Sequence, residues 1–241
     1  MGQGTAADTL ARMRRIGLLG GMAWPSTEVY HRLLNQEVNR RLGGNHSARL
    51  VLWEDDFEHV AALQRAGRWD DAGDQLAAGA KSLVAAGAEL IAICANTMHL
   101  VADHVRAAVD VPLVHLIEVV ADAAQEAGLR RLGLLATDYT MTSSLYPDVC
   151  TPRGIDVLVP GPQDRAPVHA SIYDELTRGV VTAHARAVAY EAALRLVEDG
   201  ADAIVLGCTE LALVLAPGDL AVPVIDTTAL HCRALVDAAL A

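Results

Sequence analysis

An internal duplication constrains this chain more than any other feature, because a sequence that repeats itself folds as two like halves. Arg14-Arg15-Ile16-Gly17-Leu18-Leu19 returns as Arg130-Arg131-Leu132-Gly133-Leu134-Leu135. The stretch from Gly87 through Cys94-Ala95-Asn96-Thr97 returns as Gly200 through Gly207-Cys208-Thr209-Glu210, and Val111-Pro112-Leu113-Val114 as Val222-Pro223-Val224-Ile225. In this alignment Cys208 stands opposite Ala95. A site built from both halves would therefore hold one thiol where two-fold symmetry would give two.

The pattern within each half is strand, turn, helix. Ile16 to Leu19 is an apolar run ended by Gly20-Gly21, and Pro25-Ser26-Thr27 opens a helical pattern through Val29, Leu33, Leu34 and Val38. Strands are expected at Ala48 to Trp53, Leu90 to Cys94 and Val111 to Leu116, with a helix from Trp69 to Ala86 and Asn96-Thr97 capping another. The second half repeats the order. Strands are expected at Leu132 to Ala136, Asp156 to Val159, Ala203 to Leu206 and Val222 to Ile225, and helices at Ile172 to Val180 and Ala183 to Glu198. Alternation of this kind predicts an α/β fold of two pseudo-symmetric, doubly wound lobes, each a mostly parallel sheet flanked by helices, with a cleft between them. The expected lobes are residues 1–115, joined by the C-terminal segment 226–241, and residues 116–225.

At 241 residues and 52% apolar, the chain has ample material for a core. Its net charge of −11 is dispersed and forms no basic stripe, which argues against a nucleic-acid partner. Apolar runs such as Leu90 to Ala95 are far too short to span a bilayer, and the N-terminus lacks the apolar core of an export signal. The expectation is a cytoplasmic protein without a membrane partner, whose four cysteines (Cys94, Cys150, Cys208, Cys232) remain reduced. Residues 1–9 and the Arg-rich Ala11 to Arg15 are expected to form a short flexible leader. The nine histidines show no metal-ligand spacing; His99 and His104, five apart, fall off one helical face, so no metal is expected.

In parallel sheets ligands collect beyond the carboxyl ends of the strands, and the unusual segments of this chain lie there. They are Gly20 to Thr27, Ala95 to His99, Ala136 to Thr140 and Gly207 to Glu210. Each is expected to precede a helix start, where free N–H groups favour an anion, so a carboxylate substrate is the natural guess. Gly17-Leu18-Leu19-Gly20-Gly21 lacks both the dinucleotide and the phosphate-loop spacings, and a tight strand-to-helix turn explains it as well. Cys208, at a strand end ahead of a helix start, is expected to have a lowered pKa and to serve as a base; the alternative is a small buried hydrophobe. His99 either donates to a carboxylate or caps its own turn. Trp24 and Tyr30 either line the site or pack between sheet and helix. The apolar faces of Ala183 to Val197 and Ala234 to Leu240 suit either a core or a homodimer surface.

Leu18-Leu19-Gly20-Gly21-Met22, Asn96-Thr97-Met98-His99, Ala136-Thr137-Asp138-Tyr139-Thr140 and Gly207-Cys208-Thr209-Glu210 resemble, in order and spacing, the aspartate/glutamate racemase family over nearly the whole chain. The resemblance implies cofactor-independent inversion at a carbon next to a carboxylate, normally by one cysteine from each lobe. It implies Cys208 as the catalytic group and Met22, Ser26, Asn96, Thr97, Thr137, Thr140, Thr209 and Glu210 as substrate-binding residues. No cofactor is implied, and the partner is a small amino or hydroxy acid. Two departures stand out. Ala95 occupies the place of the family's first cysteine, and Cys94, one residue earlier on the strand, is expected to face the core. A substitute on that face would have to be a shifted Cys94, a water or Ser26. The first-lobe loop that matches a cationic one in aspartate-specific members is Trp53-Glu54-Asp55-Asp56-Phe57, which is acidic, while Arg165 remains in the second lobe ahead of Ala166-Pro167. The expected activity is an amino-acid racemase or epimerase. The alternatives are a single-cysteine decarboxylase or isomerase of the same superfamily and a non-catalytic carboxylate-binding protein.

Overall fold

The computed structural model describes residues 13–241. Contacts divide the chain into two units: one comprises residues up to Cys94 with Leu100–His115 and His231–Ala241, the other Ala95–His99 with Leu116–Leu230. The segment Ala95–His99, which follows a strand of the first unit, thus packs with the second.

The first unit contains β1 (Ile16–Leu19), α1 (Trp24–Leu42), β2 (Leu50–Trp53), α2 (Phe57–Arg65), α3 (Trp69–Ala85), β3 (Leu90–Ile93) and α4 (Ala102–Ala108). Its three parallel strands lie in the order β2-β1-β3. The second unit contains α5 (Leu116–Glu126), β4 (Arg131–Ala136), α6 (Asp138–Thr142), α7 (Leu145–Cys150), β5 (Asp156–Leu158), α8 (Pro162–Asp174), α9 (Ala183–Glu198), β6 (Ala203–Gly207) and β7 (Val224–Asp226). Its parallel sheet runs β5-β4-β6-β7. Helix α10 (Thr227–Leu240) closes the chain. Strands β1, β3 and β6 are buried throughout, as parallel strands covered on both faces must be.

The duplication extends to individual hydrogen bonds. Glu89 N–H donates to Arg15 O at 2.8 Å while Arg15 N–H donates to the Glu89 carboxylate at 2.7 Å. In the second half Asp202 N–H donates to Arg131 O at 2.8 Å and Arg131 N–H to the Asp202 carboxylate at 2.9 Å. Ile91 N–H to Pro112 O is matched by Ile204 N–H to Pro223 O, both at 2.9 Å.

Several expectations need correction. The strand expected at Val111 to Leu116 is a single bridge, Ile91 to Leu113. Side chains take the backbone groups a longer ladder would use: His231 Nε2 donates to Val114 O at 2.9 Å, and Leu116 N–H donates to His99 Nε2 at 3.1 Å as α5 begins. The helix expected at Ile172 to Val180 begins ten residues earlier, at Pro162, and ends at Asp174. Pro at its start has the backbone angle a first helical turn needs and no N–H to leave unpaired. Helices α2 and α5 were not expected. Asp56 caps α2 by accepting from Glu58 N–H at 3.1 Å.

The leader expected at the N-terminus falls on residues 1–12, outside the described residues, and on Met13 to Arg15, where it is wrong. Met13 lies in the core, and Arg14 N–H donates to Ala239 O at 2.8 Å. That core joins Ile16, Leu18, Tyr30, Leu34, Leu90, Ala92 and Cys94 to Cys232, Leu235, Val236 and Ala239 of α10. The apolar face of Ala234 to Leu240 is therefore core, and so is that of α9 through Ala185, Ala189, Ala192, Ala193 and Leu196. No described helix is long and apolar enough to cross a membrane.

Candidate active site

Strand register decides which side chains can meet at the carboxyl end of the second sheet. Ala136 pairs with Gly207 and Leu206 with Asp226, so the next residues out, Thr137, Cys208 and Thr227, leave neighbouring strand ends. Three polar groups assemble there, all within the second unit.

The first is a ring of hydroxyls. Thr97 Oγ1 lies 2.9 Å from both Thr137 Oγ1 and Thr140 Oγ1, and these two are 3.3 Å apart. Thr137 also caps α6, accepting from Thr140 N–H at 3.4 Å. The second is the Asn96 amide, whose Oδ1 accepts from Tyr146 Oη at 2.7 Å and whose Nδ2 donates to Thr227 Oγ1 at 3.1 Å. The third is the thiol. Cys208 Sγ donates to Glu210 Oε2 at 3.0 Å, and Thr209 Oγ1 donates to the same oxygen at 2.5 Å. Asn96, Thr97, Cys208, Thr209 and Glu210 are all buried, with Cys208 8% exposed.

Cys208 does not have the lowered pKa expected from a helix start. Burial first, and then the Glu210 carboxylate, push its thiol well above the ordinary range. Hydrogen bonds from the backbone N–H groups of Glu210 and Leu211 act in the expected direction but are outweighed. The helix that follows is a 3-10 segment of five residues, Thr209–Leu213, and so short a run gathers little macrodipole. The same holds for the segment after Asn96, a 3-10 helix over Thr97–Val101, and for α6 with its five residues. Of the four expected helix starts, only that of α1, with 19 residues, opens a long helix. In place of aligned dipoles, the second unit supplies side-chain hydroxyls and an amide.

Both ring nitrogens of His99 are engaged by backbone groups, one of them the carbonyl four residues earlier in its own turn. Leu116 N–H donates to Nε2, so the ring proton is on Nδ1, which donates to Ala95 O at 2.8 Å. The imidazole joins the backbone at Ala95 to the start of α5.

Met22 and Ser26, the other expected site residues, belong to the first unit. Both are buried in the turn and first helix after β1. Leu19 pairs with Trp53 and with Ile93, so Gly20, Glu54 and Cys94 are the next residues out on neighbouring strands. Gly21 has φ +75°, and a Cβ there would lie 2.5 Å from Asp55 O. Only glycine lets the two strand-end turns approach so closely. Thr27 Oγ1 accepts from Gly21 N–H at 3.0 Å and completes the turn, in keeping with the structural reading of these glycines. Tyr30 is core, bonded through its hydroxyl to His231 Nδ1 at 2.8 Å, whereas Trp24 is 60% exposed.

Cys94 packs in the core with Cys232, and burial raises its thiol well above the ordinary range. In the acidic loop, Asp55 accepts from the Gln75 amide and Asp56 caps α2, while Glu54 is exposed. Arg165 forms an ion pair with Asp138 at 3.4 Å. Sequence reasoning missed Tyr146 and Thr227. Thr227 was within reach of the duplication, two residues beyond Val222 to Ile225, but Tyr146 carries no local signal. Among the described residues no group of three or more His, Cys, Asp or Glu could hold a metal ion.

The sequence profile of the Asp/Glu/hydantoin racemase family matches residues 19–235. A candidate Asp/Glu racemase from Yersinia pestis superposes with a TM-score of 0.87 at 41% identity, over 95% of this chain and 100% of that one. An aspartate racemase homologue from Pyrococcus horikoshii OT3 gives a TM-score of 0.79 at 32% identity, over 94% and 99% of the two chains. The broad specificity amino-acid racemase RacX of Bacillus subtilis (strain 168) is 24% identical over 171 residues, 68% of this chain and 70% of that protein. By its sequence profile and its fold, this chain belongs to the Asp/Glu/hydantoin racemase family.

Proposed function

We propose that this protein transfers a proton at the α-carbon of a small amino acid, without a cofactor, with Cys208 as the group that carries the proton. The observation that bears most weight is the buried hydrogen bond from Cys208 Sγ to Glu210 Oε2, 3.0 Å long, at the end of β6. A thiol with a raised pKa rests protonated and is a proton donor as it stands. To act as a base it must first lose that proton, and Glu210 is the acceptor beside it. Once it is a thiolate, the α C–H bond breaks with formation of S–H, and the electron pair passes into the substrate carboxylate. The hydroxyls of Thr97, Thr137, Thr140 and Thr209, with the Asn96 amide, hold the charge that develops there. Return of the electron pair to the α-carbon, with a proton taken from water on the opposite face, completes racemisation, and the hydroxide so formed is neutralised by the proton held on Glu210.

Ala95 in place of a second thiol favours one other reading. A lone thiol suits a one-sided reaction, in which Cys208 protonates a carbanion formed by decarboxylation or isomerisation. Incubating single enantiomers in D2O separates the two. Deuterium at the α-carbon together with optical inversion supports racemisation, and exchange with retention supports the one-sided reaction. Absence of exchange with every acid in a broad panel would falsify proton transfer altogether.

The acidic loop after β2 bears on substrate choice. Asp55 accepts from the Gln75 amide and Asp56 caps α2, while Glu54 and Asp56 are both exposed. If the acidic loop faces the bound substrate, a second substrate carboxylate would be repelled by it, and a neutral or cationic side chain tolerated. The broad specificity in the name of the Bacillus relative is compatible with such a preference. Faster exchange of aspartate than of lysine or an uncharged amino acid would overturn it.

A further inference from the structure

Asparagine is ambiguous as a ligand, because its amide offers an acceptor at one end and two N–H groups at the other. In this protein the ambiguity is removed by two buried hydroxyls. Tyr146 Oη donates to Asn96 Oδ1 at 2.7 Å, and the orientation is fixed from the other end, where the Thr227 hydroxyl, its own hydrogen already committed, can only accept an N–H. Asn96 Nδ2 donates to Thr227 Oγ1 at 3.1 Å, and the Thr227 hydroxyl spends its hydrogen on Leu206 O at 2.7 Å. The chain of donors runs one way, from Tyr146 through Asn96 and Thr227 to a carbonyl of β6. Tyr146 and Thr227 are fully buried and Asn96 is 3% exposed, so no bulk water competes for these bonds. Burial also pushes the Tyr146 phenol well above its ordinary range, which keeps it a donor at any working pH.

The consequence is geometric and electronic. Leu206 lies two residues before Cys208 on the strand that carries the thiol. Asn96 is therefore tied to that strand, with one Nδ2 hydrogen committed to Thr227 and the other left to offer. We infer that Tyr146 and Thr227 are positioning residues for the reaction, which hold Asn96 as a fixed N–H donor toward the substrate oxygen on which charge builds. The assignment rests on the proton-transfer reading of Cys208. Neither residue touches the reacting atoms; both act through Asn96.

The test combines kinetics with a signal that needs no substrate. Single-enantiomer amino acids are screened for α-deuterium exchange in D2O, and the fastest with wild type becomes the probe. Tyr146→Phe and Thr227→Val each lose about 10- to 30-fold in kcat, the scale of one buried hydrogen bond, while KM moves less than about 3-fold, because a fixed donor matters most as charge develops. Thr227→Ser keeps the hydroxyl and stays within about 3-fold of wild type. Asn96→Ala falls as far as Tyr146→Phe, and adding Tyr146→Phe to it costs less than about 2-fold more, because the partner through which Tyr146 acts is already gone. Equal losses in both backgrounds overturn the inference, as does an unchanged rate in Tyr146→Phe. In parallel, the Asn96 side-chain amide, identified in 15N spectra by its disappearance in Asn96→Ala, exchanges slowly with solvent in wild type and rapidly in Tyr146→Phe. A wild type that exchanges no amino acid but shows this protection defeats the proposed function and leaves the orientation of Asn96 standing. A wild type that is active, with protection unaltered in Tyr146→Phe, defeats the positioning role alone.

Discussion

Cys208 and Glu210 form the pair on which the proposed chemistry turns, and Glu210 acts on the thiol in opposite ways. The carboxylate raises the thiol's pKa and so opposes formation of the nucleophile, yet it is also the nearby group able to take the thiol's proton. Glu210→Gln removes the negative charge, so the pH at which the Cys208 thiol becomes reactive toward iodoacetamide should move down. An unmoved alkylation profile would show that burial alone sets it. Cys208→Ser should abolish α-deuterium exchange, with a loss of at least about 100-fold, because a hydroxyl is a far weaker acid than a thiol. The same variant should keep its affinity for the acid, measured by calorimetry. If the wild type shows binding and no exchange, the third expectation, a carboxylate-binding protein, takes precedence. The residues of this site differ in how far sequence betrayed them. Cys208, Thr209 and Glu210 are contiguous and repeat a segment of the first half, so they were visible as a motif. Tyr146 was not, because its role depends on α7 bringing a phenol to Asn96 from 50 residues away.

At the scale of elements, the strand ends carry the candidate site and the turns beyond them are under steric control. The turn after β1 meets the turn after β2 at Gly21, where any side chain would strike the backbone of Asp55. Gly21→Ala should destabilise the protein by about 1 to 2 kcal/mol from the positive φ alone, and by more once the clash is counted, as read in urea unfolding. A stability within error of wild type would mean that the two turns are free to separate. Strands were the most legible elements, since β1, β3, β4 and β6 are short apolar runs bounded by glycine or by polar caps. The element at Val111 to Leu116 was misread because its apolar pattern matches β7, yet in the folded chain His231 and His99 occupy the groups that would have extended the ladder. Helix α2 was hidden in an acidic stretch whose Asp56 looks like surface charge and is a cap.

For the whole molecule, the duplication defines both the architecture and the asymmetry of the proposed chemistry. If Ala95 is all that separates a one-sided site from a two-sided one, Ala95→Cys should raise inversion relative to exchange in D2O by about 10-fold or more, the scale of a positioned acid or base. An unchanged ratio would show that the opposite face is served by another group. The first unit also contains a titratable lock. His231 is fully buried between Tyr30 Oη and Val114 O, and burial, with a smaller effect of His115, lowers its pKa from 6.5 to about 4. The sign follows from which state binds the proton: between pH 6.5 and 4 the unfolded chain takes it up and the folded chain does not. Stability is thus full above pH 6.5 and declines as pH falls toward 4, by about 3 kcal/mol over the interval. Urea midpoints measured along this range should fall in wild type and fall less steeply in His231→Gln, and parallel curves would rule the histidine out.

The sequence by itself determined the α/β architecture, the two-fold repeat, the places where strands end and the single thiol opposite an alanine, because these follow from local periodicity and self-similarity. Tertiary structure decided what local pattern cannot encode. Met13 and α10 close the first core, residues 95–99 pack with the second unit, and Tyr146 and Thr227 orient Asn96. It also reversed the expected direction of the Cys208 pKa, since burial and a neighbouring carboxylate depend on what surrounds the sulfur in space and outweigh the few backbone N–H groups next to it in the chain.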